Sequence, residues 1–183
     1  GKLGFAQIAS CIIALQIKGV TPDEIASAAS VMRKHANKVK IKDTNYLIDT
    51  CGTGGDSLQT FNVSTISAIV SAAAGAKVAK HGGRSVSSKC GSADVLEALG
   101  VNVNLDHKNL GMLVDHIGIG FMFAPNYHPA MKYVAPVRKD LEIRTMFNLL
   151  GPLTNPASAK RQVVGVYSKE LTKTFAKVLQ NLG

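Results

Sequence analysis

Apolar residues at Phe5, Ile8, Ala9, Ile12, Ile13 and Leu15 recur with a helical period and predict a first helix over Phe5–Lys18. Thr21-Pro22-Asp23-Glu24 reads as the start of a second, with Thr as the cap, Pro at the first helical position and acids in the first turn. Its stripe of Ile25, Ala28, Ala29 and Met32 fades by Asn37. A basic link over 38–43 then leads into a different pattern. Tyr46-Leu47-Ile48-Asp49 is a short strand running into a glycine-rich turn, 62–74 a helix, 76–79 a strand and 92–99 a helix. Short strands are expected at Val101-Asn102-Val103 and at 119–122, a late strand at 163–167, and a last amphipathic helix at 171–182. The weakly polar stretch 66–78 reads as a buried helix and the strand after it. Strands alternating with helices argue for an α/β fold, a mainly parallel sheet flanked by helices. A small all-helical domain precedes it. The expected division is 1–42 helical and 43–183 α/β, with room for helices between 105 and 145 to pack on the helical part. No internal repeat or low-complexity tract interrupts the pattern.

Composition narrows the class. Apolar residues make up 46% of 183, enough for a substantial core, yet no apolar run approaches the roughly 20 residues of a membrane span. The opening Gly1-Lys2-Leu3-Gly4 has none of the order of a secretion leader. Cys11, Cys51 and Cys90 are odd in number and widely spaced, which argues against a disulfide scaffold or zinc site and for a reducing cytoplasm. Each is expected to be a small buried hydrophobe. The formal net charge of +9 suggests an anionic partner, but aromatics are only 5%, with no Trp, so stacking platforms for nucleic-acid bases are poorly supplied.

Three segments carry candidate chemistry. The first is Asp49-Thr50-Cys51-Gly52-Thr53-Gly54-Gly55-Asp56, directly after a strand. Its glycines let backbone amides approach a ligand and form an anion nest. Asp56 would repel phosphate and suits ribose hydroxyls or metal-bound charge better. Thr60-Phe61-Asn62-Val63-Ser64-Thr65 follows, placing an amide and hydroxyls at a helix N-terminus, where an anion is favoured; plain capping is compatible with this. The second runs from Lys80 through His81, Gly82, Gly83, Arg84, Ser85, Val86, Ser87, Ser88, Lys89, Cys90 and Gly91 to Ser92. Its cations, hydroxyls and glycines are what a phosphate or pyrophosphate needs. His81 is expected to orient this loop rather than act as an acid. The third comprises Arg138 and then Arg144-Thr145-Met146-Phe147-Asn148-Leu149-Leu150-Gly151-Pro152-Leu153-Thr154-Asn155-Pro156. Gly-Pro and Asn-Pro mark two sharp turns, so the segment reads as a rigid wall with Arg144 a buried structural cation.

Taken in order, these motifs resemble anthranilate phosphoribosyltransferases, and the resemblance covers essentially the whole chain. It implies a small helical domain joined to a larger α/β domain, with homodimerisation through the helical part. The implied reaction belongs to tryptophan biosynthesis: phosphoribosyl pyrophosphate (PRPP) and anthranilate give phosphoribosyl anthranilate and pyrophosphate, with Mg2+. Carried over by residue, Gly52, Gly55, Asp56 and Thr60 would line the PRPP site. Asn62, Val63, Ser64 and Thr65 would bind its phosphates, with Ser64 also touching the metal. Lys80, His81, Gly82, Gly83, Arg84, Ser85, Val86, Ser87 and Ser88, with Ser92, would form the loop over the substrate. Arg138 would face the anthranilate carboxylate; Gly52, Gly83 and His128 would border anthranilate, with His128-Pro129-Ala130 along the acceptor channel. The family commonly has Lys-His-Gly-Asn-Arg, and Gly83 stands here where that Asn would. The family's acidic Asp-Glu pair, which holds magnesium, is expected beyond Gly183, so the chain reads as an internal stretch of such an enzyme. Two other readings use the same residues: an enzyme like the pyrimidine nucleoside phosphorylases, and a nucleic-acid-binding relative without catalysis. The intact Gly-Thr-Gly-Gly-Asp and Asn-Val-Ser-Thr segments count against the second.

Overall fold

The computed structural model describes residues 1–55, 61–85 and 90–183. Helix α1 (Phe5–Lys18) and helix α2 (Pro22–His35) open the chain. The expected Thr21 cap forms: its hydroxyl accepts the Glu24 amide at 3.3 Å, and the Glu24 carboxylate accepts the Thr21 amide at 3.0 Å. Lys18 joins that carboxylate at 2.8 Å, linking the end of α1 to the start of α2 and holding the Glu24 carboxyl below its ordinary pKa.

The sheet follows, built from β1 (Leu47–Gly52), β2 (Lys77–Gly82), β3 (Ile119–Phe123) and β4 (Arg161–Gly165). It is parallel throughout, in the order β3-β2-β1-β4. The central strands β1 and β2 are buried almost without alternation, as expected where elements cover both faces. Helix α3 (Val63–Ala73) joins β1 to β2, while α4 (Ser92–Ala98) and α5 (His107–Ile117) lie between β2 and β3. After β3 come α6 (Ala124–Tyr127), a 3-10 turn at Pro129–Tyr133, α7 (Ala135–Leu141), α8 (Phe147–Leu150) and a second 3-10 turn at Gly151–Leu153. Helix α9 (Leu171–Leu182) ends the chain.

Apolar burial is divided. Ile25 and Ala29 of α2 pack with Leu149, Leu150, Leu153, Phe175 and Val178, so the first helices rest on the Pro-rich wall and α9. Arg33 of α2 donates from Nε to the Leu153 carbonyl at 2.6 Å. Helix α7 packs on α1. Under the sheet, Leu47, Ala79 and Met122 pack on Leu110 and Val114 of α5 and on Tyr127.

Three expectations change. Val101-Asn102-Val103 is not a strand: the Asn102 side chain accepts the Asn104 amide at 2.9 Å, a local turn that competes with pairing, while Val103 plugs a cluster with Ala93, Leu96 and Phe121. Helix α3 is not buried all round. Thr65 and Ala68 face inward, whereas Val63, Ile66, Ile69 and Val70 are exposed, because one face suffices to cover β1 and β2. Of the cysteines only Cys51 is buried; Cys11 lies on the open side of α1 and Cys90 on an open loop.

Helix α5 crosses the link before β1 closely. A methyl group at Gly111 would meet the Lys40 carbonyl oxygen well inside contact distance. Gly111→Ala gains about 1 kcal/mol of helix propensity but must displace backbone, which costs about 1–3 kcal/mol. A net loss of stability is expected, read as a lower urea midpoint with unchanged slope.

Candidate active site

Everything at the site hangs on the C-terminal ends of β1 and β2. Asp49 of β1 is fully buried. Its carboxylate accepts the His81 amide at 3.1 Å, the Asn155 side-chain amide at 2.8 Å and the Gln162 side-chain amide at 3.1 Å. Burial pushes its pKa up, against these donors and nearby Lys80, which pull it down. Asn155 also donates to the Ala79 carbonyl at 2.8 Å, and Gln162 to the Pro152 carbonyl at 2.9 Å. One carboxylate thus locks the wall and β4 onto the central strands. Asp49, Asn155 and Gln162 had no role read from the sequence. The available signal was the Asp itself, since a charge inside a strand buried on both faces needs donors.

Lys80 of β2 is buried, with 2% of its surface exposed. Its ammonium donates to the Thr50 carbonyl at 2.5 Å and the Ser64 hydroxyl at 3.1 Å. An ammonium has three N–H groups, and the third has no partner among the described residues. Burial lowers the Lys80 pKa, opposed by the Asp49 charge. Asn62 caps α3: its side-chain oxygen accepts the Thr65 amide (3.2 Å), the Thr65 hydroxyl (2.7 Å) and the Ser64 hydroxyl (3.3 Å). The Lys80, Ser64 and Asn62 side chains therefore meet at one strand edge, where ligands sit in open α/β sheets. Val63 points outward, and Thr65 is buried behind the cap.

Beside Lys80, the buried His81 ring sets Nδ1 3.1 Å from the Gly151 carbonyl and Nε2 3.1 Å from Nε2 of His128. A carbonyl only accepts, so the neutral His81 ring carries its proton on Nδ1 and turns an unprotonated Nε2 toward His128. Desolvation lowers the pKa of each ring to about 4, so both are neutral near pH 7.

Other expected residues are placed differently. Arg84 turns toward α4 and forms ion pairs with Glu97 (2.6 Å) and Asp94 (3.0 Å), over the Phe123 ring. Ser85 donates its amide to Asp94 at 3.2 Å. Gly82 packs tightly against Phe121 and Ser92, while Gly83 faces open space. Gly52 ends β1 opposite Gly165. Arg138 stands on half-buried α7 over the Phe147 ring, and among the described residues no carboxylate pairs with it and no hydrogen bond joins it to the Lys80 group. Arg144 is not a buried structural cation: it is exposed, donates to the Gly55 carbonyl at 2.5 Å and covers the Tyr167 ring at 4.5 Å. Asp56, Thr60, Val86, Ser87 and Ser88 lie outside the described residues.

This arrangement has known counterparts. A family model described as the glycosyl transferase family, a/b domain, matches residues 44–183, and its helical bundle domain counterpart matches residues 1–36. The chain belongs to the glycosyl transferase family. Among its similar members is the anthranilate phosphoribosyltransferase of Methylobacillus flagellatus, 58% identical over all 183 residues, which are 54% of that protein. The crystal structure of anthranilate phosphoribosyltransferase from Thermus thermophilus superposes with a TM-score of 0.94 at 46% identity, covering 100% of this chain and 55% of that one. The Saccharomyces cerevisiae enzyme in complex with PRPP and Mg matches with a TM-score of 0.90 at 34% identity, over 97% of this chain and 50% of that one. The chain thus spans about half the length of the relatives it matches.

The histidine pair gives this family member a pH dependence of definite sign. Each ring titrates near 6.5 when unfolded and near 4 when folded, so the unfolded state binds more protons between those values. Stability is full above pH 6.5 and is expected to fall as pH drops toward 4, by up to about 1.4 kcal/mol per pH unit for each ring. His128→Gln should make that slope shallower, measured by urea unfolding at pH 4.5, 5.5 and 7.

Proposed function

We propose that this protein is an anthranilate phosphoribosyltransferase: it transfers the phosphoribosyl group of PRPP to the amine of anthranilate and releases pyrophosphate. The observation that carries the reading is the buried Lys80 ammonium at the strand edge, beside the Ser64 and Asn62 helix start, with one N–H that has no partner among the described residues. A buried cation satisfied only by neutral groups is suited to an anionic ligand that enters and leaves. The similarity to enzymes of this name supports the same substrates here.

The chemistry asks little covalent work of the protein. As the bond from the anomeric carbon to pyrophosphate breaks, positive charge builds on the ribosyl ring and negative charge on the leaving group. Lys80 and backbone amides would hold the leaving group, while the wall places the amine at the anomeric carbon. The amine of anthranilate is a neutral nucleophile near pH 7, so no strong base is required. The neutral His81–His128 pair fits a polar channel wall rather than a base, and His128-Pro129-Ala130 would border the acceptor. Arg138 would face the anthranilate carboxylate, for which a planar guanidinium without a carboxylate partner is suited.

Magnesium does not fit the described residues by themselves. No group of three His, Cys, Asp or Glu side chains gathers among them, and the Ser64 hydroxyl lies 3.1 Å from the Lys80 ammonium, which opposes a bare cation. Bound together with PRPP, the ion would draw its ligands chiefly from phosphate oxygens, with Ser64 lending at most one. The division near residue 42, pairing of two copies through the helical part, a place in tryptophan biosynthesis and a cytoplasmic setting complete the proposal. In support of pairing, Leu3, Phe5, Ile17 and Val31 are exposed on that part. No helix among the described residues is long and apolar enough to cross a membrane.

The test is pyrophosphate release from PRPP in the complete gene product, dependent on anthranilate; its absence overturns the reading. Arg138→Ala should raise the anthranilate KM by the loss of a charge-assisted contact, on the order of 2–4 kcal/mol, with PRPP binding far less affected. Equal losses for both substrates would make Arg138 a structural residue.

A further inference from the structure

The turn after β1 has two consecutive residues in the left-handed region, Gly54 (φ 69°) and Gly55 (φ 75°). Both carbonyls are tied from the protein side. Gly54 accepts the Thr53 hydroxyl at 3.3 Å, and Gly55 accepts Nη2 of Arg144 at 2.5 Å. Thr53 is itself anchored to the end of β4: its amide donates to the Gly165 carbonyl at 2.9 Å, and its hydroxyl oxygen accepts the Tyr167 amide at 3.1 Å. The Arg144 guanidinium lies over the ring of that same Tyr167, 4.5 Å from its centroid. Among the described residues the Gly54 and Gly55 amides have no acceptor. The negative ends of the turn's dipoles are therefore committed to the protein, while its two positive ends have no partner among the described residues.

Glycine peptides rotate easily, because no Cβ opposes either sign of φ. Left alone, this turn could swing a carbonyl oxygen toward the place an anion would occupy, and a carbonyl there repels phosphate. A hold from outside removes that state. We propose that Arg144 is a positioning residue for the anion turn: by gripping the Gly55 carbonyl and stacking on Tyr167, it presents the Gly54 and Gly55 amides to the pyrophosphate group of PRPP. The inference rests on the phosphoribosyl-transfer reading, and it assigns the wall segment a part in PRPP affinity besides the acceptor placement proposed above. The role needs the planar fork of arginine, which hydrogen-bonds in its plane while its face stacks; lysine supplies the same charge but no planar group that makes both contacts at once.

The experiment titrates the complete gene product with PRPP and, separately, with inorganic pyrophosphate, for wild type, Arg144→Ala, Arg144→Lys, Tyr167→Leu and the Arg144→Ala/Tyr167→Leu pair. Arg144→Ala is expected to weaken both ligands about 10- to 100-fold, the range for a lost hydrogen bond to a charged group. The anthranilate KM should stay within about threefold, because among the described residues Arg144 contacts the Gly55 carbonyl and the Tyr167 ring and has no hydrogen bond to Arg138 or His128. Arg144→Lys should not rescue binding. Tyr167→Leu should weaken binding in the same direction, and the double variant should be no worse than Arg144→Ala, because the two act as one unit. Rescue by lysine would show a through-space charge effect and overturn the proposal, as would unchanged binding in Arg144→Ala. If Arg144→Ala does not fold, Tyr167→Leu decides, and unchanged pyrophosphate affinity in it overturns the proposal. Wild-type protein that binds pyrophosphate in this Arg144-dependent way but fails to turn over PRPP would sink the transferase reading and leave the positioning role standing. Wild-type protein that binds neither ligand overturns both.

Discussion

A carboxylate sealed inside a parallel sheet is tolerable only if N–H donors surround it, and Asp49 imposes that condition on this fold. A buried anion left short of donors costs several kcal/mol, so the elements that supply donors are bound to come together. Those donors belong to β2, to the turn after Leu153 and to β4, each far from Asp49 in sequence. Two of them are bifunctional: Asn155 spans Asp49 and the Ala79 carbonyl, and Gln162 spans Asp49 and the Pro152 carbonyl. The wall is therefore fastened to the strand ends by directional bonds as well as by apolar contact. The strand ends are braced for this reason, and the Lys80 ammonium beside them is held in register.

The same site keeps its two buried charges apart. Asp49 is surrounded by neutral amides, and Lys80 donates to a carbonyl and a hydroxyl rather than to Asp49. A direct ion pair would neutralise Lys80 and leave it little to offer an incoming anion. Neutral solvation of each charge, with Asp49 near enough to favour the ammonium, keeps the cation available. The neutral histidines serve the same end, since a protonated ring next to Lys80 would add repulsion inside a dry pocket.

What the sequence made legible follows from what short-range physics can encode. The period of α1, the Thr21–Glu24 cap of α2, the parallel strands and the paired stripe of α9 are local patterns, and each stands where the pattern put it. Helix α5 was legible beyond the general expectation of helices between 105 and 145: Asp106 caps it, Leu110 and Val114 mark its buried face, and Gly118 ends it in the left-handed region. Val101 to Val103 misled because two valines carry strand propensity, while the Asn102 turn and the pocket for Val103 depend on tertiary context. At the site, the glycine turn and the Lys80 segment announced themselves by composition. Which of their residues face one another did not, because Asp49–Asn155, His81–His128 and Arg144–Gly55 are separated by 106, 47 and 89 positions. No local rule pairs residues at such distances.

Net charge illustrates the same limit from the other side. A surplus of +9 says that anions are welcome, and says it of every basic residue alike. The fold sorts them. Lys18, Lys77 and Arg84 are engaged with carboxylates on the surface, where such pairs contribute little and cannot take a phosphate without giving up an anion they already hold. Lys80, Arg138 and Arg144 have no carboxylate partner among the described residues, and each is fixed by something neutral: a carbonyl and a hydroxyl, a phenyl ring, or a carbonyl and a phenol ring. A cation restrained by neutral groups has already lost much of its conformational freedom while keeping its charge uncompensated. The ligand roles proposed for Lys80, Arg138 and Arg144 rest on that combination and not on the total.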